Sequence, residues 1–146
     1  MLADKTQIAG LIPHAGSMCL LDGVLACDAE HIVCTSRSHL DADNPLRIAG
    51  CLPALCGIEY AAQAMAVHGG MTGAAHSKPR AGYLVGVRDV VCAVPRLDTV
   101  ESALTIAAEK LVGDGTNVMY QFSLGAEGAV ILQGRATVVL DADKAA

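Results

Sequence analysis

One segment limits what this chain can become. From Pro53 to Gly69, the residues Leu55, Ile58, Ala61, Ala62, Ala64, Met65, Ala66 and Val67 spread apolar side chains around nearly the whole helical circumference. A helix that is apolar on every side is a buried helix, not one lying on a surface. Pro53 suits a first helical turn, and Gly69 with Gly70 predicts the stop. Whatever else the chain forms must enclose this helix, and its alanines let neighbouring strands come close. Within the run stands one carboxylate, Glu59. A carboxylate is seldom buried without a partner. Burial would raise its pKa and make it a usable proton donor near neutral pH.

The remainder reads mostly as strand. Residues 6–12 form a short helical turn that ends before Pro13. Met18 to Cys27 is a Leu/Val-rich strand, and His31 to Ser38 a second one with Ile32, Cys34 and Ser36 on one face. Residues 39–52 read as a loop, broken by Asp41, Asp43, Asn44, Pro45 and Gly50. After the helix and a Gly/Ala/Ser loop come four strands, at about 82–93, 100–111, 117–124 and 129–140. Ser102, Leu104, Ile106 and Ala108 share a face; so do Val118, Tyr120, Phe122 and Leu124, and then Val130, Leu132, Gly134, Ala136, Val138 and Leu140. That is the pattern of an antiparallel sheet buried on one side. Glycines at 113, 115, 125 and 128 supply the turns. The expected fold class is α+β: one domain over residues 1–146, with an antiparallel sheet wrapped around a single central buried helix.

Composition excludes several roles. The chain is 53% hydrophobic and 17% charged, against a usual charged share of about 25%, so part of its surface is expected to be covered by oligomerisation. A net charge of -5 without a Lys/Arg run argues against nucleic acid. No unbroken apolar stretch of about 20 residues is present for a membrane span. Met1 to Gly10 lacks the apolar core of a secretory signal, so a cytoplasmic location is expected. The six cysteines form no CxxC pair, so no metal site is expected, and most lie in apolar runs as small hydrophobes. Cys56 is the one to follow, because it neighbours Glu59.

Three stretches carry a family resemblance. "LIPHAGSMCLLDGVL" looks like the "LPHRxPFLLVDRV" opening of the hotdog-fold β-hydroxyacyl-acyl-carrier-protein dehydratases. "LPALCGIEYAAQA" resembles their helix "FPGVLxxEAMAQA", and "GYLVGVRDVVCAVPRLDTVESALTIAAEK" resembles their strand, Pro-turn and strand. PHxGxMxLLD together with GIEYxAQA points to the divergent branch associated with aryl-polyene clusters. The likeness covers nearly the whole chain, with one departure. The family's "GHFPG" histidine falls near Pro45, in "NPLRIAGCLP", and no histidine lies between Leu40 and Pro53.

The resemblance implies a hotdog fold and removal of water from a 3-hydroxyacyl thioester to give the trans-2-enoyl product. Glu59 would protonate the departing hydroxyl. His14, on a loop and able to titrate near neutral pH, would take the C2 proton. Gln63 lies one turn beyond Glu59 on the same face. The backbone amides near Cys56 and Gly57, at a helix start, would hold the thioester oxygen. His39 is the next candidate base; His31, His68 and His76 have weaker claims. No cofactor is implied beyond the phosphopantetheine of acyl-carrier protein or CoA. The implied partners are acyl-carrier protein, with Arg80, Arg88 or Arg96 as possible contacts, and a second hotdog chain. In this family the two catalytic side chains come from different subunits, so a homodimer or hotdog heterodimer, or a higher oligomer, is implied. Two rival readings fit the same fold: a non-catalytic acyl-binding subunit that completes a heterodimer, and an acyl thioesterase.

Overall fold

The computed structural model describes residues 1–12, 18–72, 82–113 and 116–140. Alternating apolar residues become strand: β1 (Ala3–Asp4), β2 (Gly23–Cys27), β3 (His31–Ser36), β4 (Gly82–Cys92), β5 (Leu104–Gly113), β6 (Asn117–Ala126) and β7 (Ala129–Leu140). Two helices interrupt them, α1 (Lys5–Ala9) and α2 (Gly57–Thr72). All seven strands join one sheet in the order β1-β2-β3-β5-β6-β7-β4, and every neighbouring pair is antiparallel. The chain leaves α2, runs to the far edge as β4, and returns as β5 beside β3. α2 lies across the face formed by β3, β5 and β6. This is the expected layout of one helix under one antiparallel sheet.

The core forms where the two patterns meet. Tyr60, Ala61, Ala64, Met65 and Val67 of α2 are buried together with Ile32 and Cys34 of β3, Leu104 and Ile106 of β5, and Phe122 and Leu124 of β6. Gly57 sets how closely the helix approaches. A Cβ there would lie 2.6 Å from Leu132 Cδ2 and 2.9 Å from Leu124 Cδ2, and both leucines are themselves fully buried. The Gly57 backbone is ordinary right-handed helix, so the constraint is steric rather than conformational. Gly57→Val should lower stability by about 1–3 kcal/mol through overpacking. A urea midpoint equal to that of the wild type would show that the helix can move away freely.

Several expectations need correction. The first long strand starts at Gly23, not Met18, because residues 18–20 are held by side chains instead of a ladder. α2 passes through Gly69 and Gly70 to Thr72, whose hydroxyl donates to the His68 carbonyl at 2.7 Å. A Cβ on Gly70 would sit 3.3 Å from Leu11 Cβ, so that glycine serves packing rather than termination. At its other end the helix is preceded by a 3-10 turn over Ala54–Cys56. β5 starts at Leu104 rather than residue 100. β1 was not anticipated: its two residues carry no pattern, and Asp4 ends it by capping α1 in a reciprocal box with Gln7. Val130 is exposed rather than on the inner face. A register shift pairs Leu124 with Leu132 but Gly125 with Val130, so Ile131 turns inward in its place.

The helix is also less enclosed than its composition suggests. Ile58, Glu59, Ala62 and Ala66 are half-buried, and Leu55 is 59% exposed. They form an uncovered stripe along α2. Among the described residues the outer edge of β4 likewise has no neighbouring strand, and Leu84, Val85, Val87 and Val91 are exposed there. Among the cysteines, Cys19 and Cys34 are buried, while Cys27, Cys51 and Cys56 are half-buried and Cys92 is exposed; all six are free thiols. The core reading therefore fits two of them fully.

Candidate active site

The start of α2 is clasped from two sides. The Ala54 amide donates to the Pro95 carbonyl at 3.0 Å, and the Leu97 amide to the Leu52 carbonyl at 2.8 Å. Asp98 Oδ1 accepts from the Leu52 amide at 2.8 Å, and its carboxylate is paired with the Arg96 guanidinium. Arg96 and that amide hold the Asp98 carboxyl well below the usual carboxylate range. Arg47 fixes the loop over residues 41–51 by donating to the carbonyls of Asp41 (2.8 Å), Gly50 (2.8 Å) and His39 (3.2 Å). Arg96 is thus a fastening for the helix start.

On this platform Glu59 occupies the first turn of α2, half-buried, at the head of the uncovered stripe. The Cys56 thiol lies close enough that burial first, and then the Glu59 charge, push its pKa up. That makes Cys56 a poor nucleophile. The amides expected to receive a thioester oxygen are already used. Cys56 N–H donates to the Pro53 carbonyl at 3.0 Å, and Gly57 N–H to those of Ala54 and Leu55. The 3-10 turn consumes both donors, so the oxygen-binding role assigned to these two amides is withdrawn.

Gln63 is fully buried and faces the backbone. Its Oε1 accepts from the Leu20 amide at 2.8 Å and its Nε2 donates to the Met18 carbonyl at 2.6 Å. It therefore ties the segment that follows His14 in sequence to the central helix. His14 lies outside the described residues, as do His76, Lys78 and Arg80. Beside Gln63 runs a buried polar chain. Ser36 and Ser38 hydroxyls donate to the Leu20 carbonyl at 2.6 and 2.7 Å; the Tyr60 hydroxyl sits 2.8 Å from Ser38 Oγ and accepts from Asn44 Nδ2 at 3.1 Å. Sequence alone gave no hint of it, since Ser36 only looks like one more inward position of β3.

His39 does not reach an open site. It is fully buried, with Nε2 2.9 Å from the Val100 carbonyl, and burial lowers its pKa. Pro45, at the position of the family's usual histidine, is exposed, while the preceding Asn44 is buried against Ser38 and Tyr60.

Residues 6–146 match the family model described as ApeP-like, ApeP dehydratase. The chain belongs to the ApeP-like dehydratase family. Among solved structures, the dehydratase heterocomplex ApeI:P from Xenorhabdus doucetiae matches at 27% identity and a TM-score of 0.78, over 93% of this chain and 91% of that one. S. sahachiroi AziG matches at 14% identity and a TM-score of 0.64, over 89% and 97%. A mutant thioesterase from Pseudomonas aeruginosa matches at 13% identity and a TM-score of 0.58, over 80% and 78%. The last two speak to fold alone, and the fold is the hotdog. No curated protein matches the sequence. Among the described residues no helix is long and apolar enough to cross a membrane.

Two further histidines of this ApeP-like chain are accounted for. His31 is exposed between Asp28 (3.2 Å) and Glu109 (3.3 Å). His68 is buried in α2, with Nε2 2.9 Å from the Asp28 carbonyl and Nδ1 2.7 Å from the Tyr120 hydroxyl. A carbonyl only accepts, so Nε2 carries the proton and Nδ1 accepts from Tyr120. Burial lowers the His68 pKa. In the unfolded chain a histidine titrates near about 6.5. Just below that value the unfolded chain binds more protons than the fold, so stability falls with falling pH. The urea midpoint should drop between about pH 7.5 and 5.5, and the drop should shrink in His68→Gln. His31 acts in the opposite sense, its pKa raised by Asp28, but it is exposed and solvent screening keeps that contribution small. A midpoint flat across this range would show that the buried histidines gain protons without cost.

Proposed function

We propose that this chain is a subunit of a dehydratase that converts a 3-hydroxyacyl thioester on acyl-carrier protein to the trans-2-enoyl thioester. The observation that carries the reading is Glu59, a single half-buried carboxyl at the head of the apolar stripe of α2, in a member of the ApeP-like dehydratase family. His14 removes the C2 proton, the electron pair forms the C2–C3 double bond, and the C3–O bond breaks as Glu59 gives its proton to the departing hydroxyl. Water leaves. The imidazolium and carboxylate then exchange a proton through solvent, which restores both groups. The chemistry needs proton transfer only, so it calls on no metal or cofactor beyond the phosphopantetheine that carries the acyl group. The stripe of Leu55, Ile58, Ala62 and Ala66 offers an apolar lane for the acyl chain or for a partner's cover.

A second hotdog chain completes the site in this reading. An exposed, apolar, unpaired strand edge is a template for strand addition, and β4 provides one. The similar chain from X. doucetiae comes from a complex called a dehydratase heterocomplex. Pro45, standing where the family's base belongs, favours a second reading: a non-catalytic subunit that shapes the acyl site of an active partner. The two separate in one experiment. A short 3-hydroxyacyl carrier thioester is offered to the purified chain alone, to a hotdog partner alone, and to the mixture, with enoyl product measured. Product from the chain alone supports catalysis here. Product only when the partner is present, and unchanged by His14→Ala and Glu59→Gln, assigns the chain the supporting role. Free thiol without enoyl product would point to a thioesterase.

A further inference from the structure

The start of α2 hangs on one short antiparallel pairing outside the named strands. Pro53 and Arg96 face each other as an isolated bridge, flanked by the hydrogen bonds from Ala54 to Pro95 and from Leu97 to Leu52. At the end of that bridge the Leu52 amide points into the protein, and Leu52 is fully buried. Asp98 Oδ1 meets it at 2.8 Å. A carboxylate is a stronger acceptor than a neutral oxygen, but a buried one needs charge partners. The Asp98 side chain is 7% exposed; Arg96 pairs with it, and Arg47 Nη1 stands 4.0 Å from Oδ2. Arg47 is also the residue that pins the loop over residues 41–51. One buried carboxylate therefore joins three segments: that loop, the lead into α2 at residues 52–54, and the turn at 95–98.

From this joint to Glu59 the backbone has little slack. The Cys56 and Gly57 amides close the 3-10 turn onto the carbonyls of Pro53, Ala54 and Leu55. Gly57 is seated against Leu124 and Leu132 so closely that an added Cβ would clash with both. Glu59 follows in the first turn of α2. Apolar contact is non-directional. The fit at Gly57 sets how near the helix lies to the sheet, and leaves its slide and rotation to the polar clasp. A displacement at Leu52 would pass along this short rigid run to Glu59.

We propose that Asp98 is a positioning residue for Glu59: by fastening the Leu52 amide to the turn at 95–98, it sets where the Glu59 carboxyl stands against the bound thioester. This role rests on the dehydratase reading above, with Glu59 as the acid. Asp98 acts through the helix and not on the substrate. The clasp is internal to the chain, so a second hotdog chain can cover the α2 stripe and the β4 edge without disturbing it.

The test is a double-variant cycle on the full chain, with any required hotdog partner present. Wild type, Asp98→Asn, Glu59→Gln and Asp98→Asn/Glu59→Gln are assayed for single-turnover dehydration of a short 3-hydroxyacyl carrier thioester, in conditions where urea titration shows each to be folded. Asparagine keeps an acceptor for the Leu52 amide but offers Arg96 and Arg47 no charge, so the clasp is loosened rather than cut. Asp98→Asn should lower the maximal rate at least about 10-fold, because misplacement by about 1 Å can cost on the order of 100-fold. The half-saturating thioester concentration should stay near that of the wild type, since binding is not what is lost. In the Glu59→Gln background the same change should cost little further rate, because a residue that acts through Glu59 has nothing left to place. If Asp98→Asn does not fold, Arg96→Gln takes its place in the cycle; Arg96 is 43% exposed, and its loss leaves the Asp98 acceptor intact. A folded Asp98→Asn with the wild-type rate would overturn this role. So would a loss confined to the half-saturating concentration, or an equal fractional loss in both backgrounds, which marks a merely structural part. A wild type that dehydrates nothing, with or without a partner, sinks the dehydratase reading and the role together. An active wild type with a silent Asp98→Asn sinks the role alone.

Discussion

Glu59→Gln is expected to slow dehydration of a 3-hydroxyacyl carrier thioester by at least about 100-fold, the usual scale for losing a general acid, with the fold intact. The side chain is half-buried on the uncovered stripe of α2, not among the fully buried core residues. Glutamine keeps its length, its shape and one acceptor oxygen. What it removes is the exchangeable proton. A carboxyl can hand that proton to a departing hydroxyl and recover it from solvent; an amide cannot. Glu59→Asp makes a useful companion, since it retains the chemistry but draws the carboxyl back, and misplacement of about 1 Å can cost on the order of 100-fold. Rates are measured under single-turnover conditions with any required hotdog partner present, and each variant's urea midpoint confirms that it folds. Activity of Glu59→Gln within about threefold of wild type would remove Glu59 as the acid. The supporting-subunit reading, favoured by Pro45, would then stand in its place.

Much of the fold is legible because burial acts on residues close in sequence. Alternation over Ile32–Cys34, Leu104–Ile106–Ala108 and Val118–Tyr120–Phe122–Leu124 predicts inner faces that the sheet then buries. The apolar circumference of α2 predicts a central helix, and its uncovered half shows where a lone chain falls short of that demand. What stays hidden is set by partners distant in the chain. Val130 exchanges places with Ile131 because a register shift against β6 decides it, and no local pattern records the shift. Gly69 and Gly70 read as a stop, yet a close approach by Leu11 makes Gly70 a contact point inside the helix. The same holds for the site. Glu59 stands out as a charge in an apolar run. The roles of Arg47 and Asp98 do not: Arg47 is spent on backbone carbonyls of its own loop and Asp98 on the distant Leu52 amide, and the occupied amides of Cys56 and Gly57 follow from a 3-10 turn that helix propensity does not foresee.

Gln63→Leu is expected to be the most damaging stability change of comparable side-chain volume on α2, at about 2–4 kcal/mol for two backbone groups left without partners. Leucine fits the space, so the cost is polar rather than steric. The Leu20 amide loses its 2.8 Å acceptor inside the core, and the Met18 carbonyl loses its 2.6 Å donor. Ser36 and Ser38 still hold the Leu20 carbonyl from the other side, so the segment is loosened at its N-terminal end more than released. For a domain whose whole stability is of order 5–15 kcal/mol, that loss is large but survivable, and a urea titration at neutral pH can measure it. Because Met18 follows His14 by four positions, catalysis should suffer beyond what unfolding explains. In conditions where Gln63→Leu is fully folded, its dehydration rate should still fall. Ser38→Ala provides the contrast. It removes a buried hydroxyl that also holds Leu20, but leaves both Gln63 bonds in place, so it should lose stability and keep most of its rate. Equal loss of rate in both folded variants would mean that the network acts only by holding the core together, and that Gln63 has no separate part in placing the segment that carries His14.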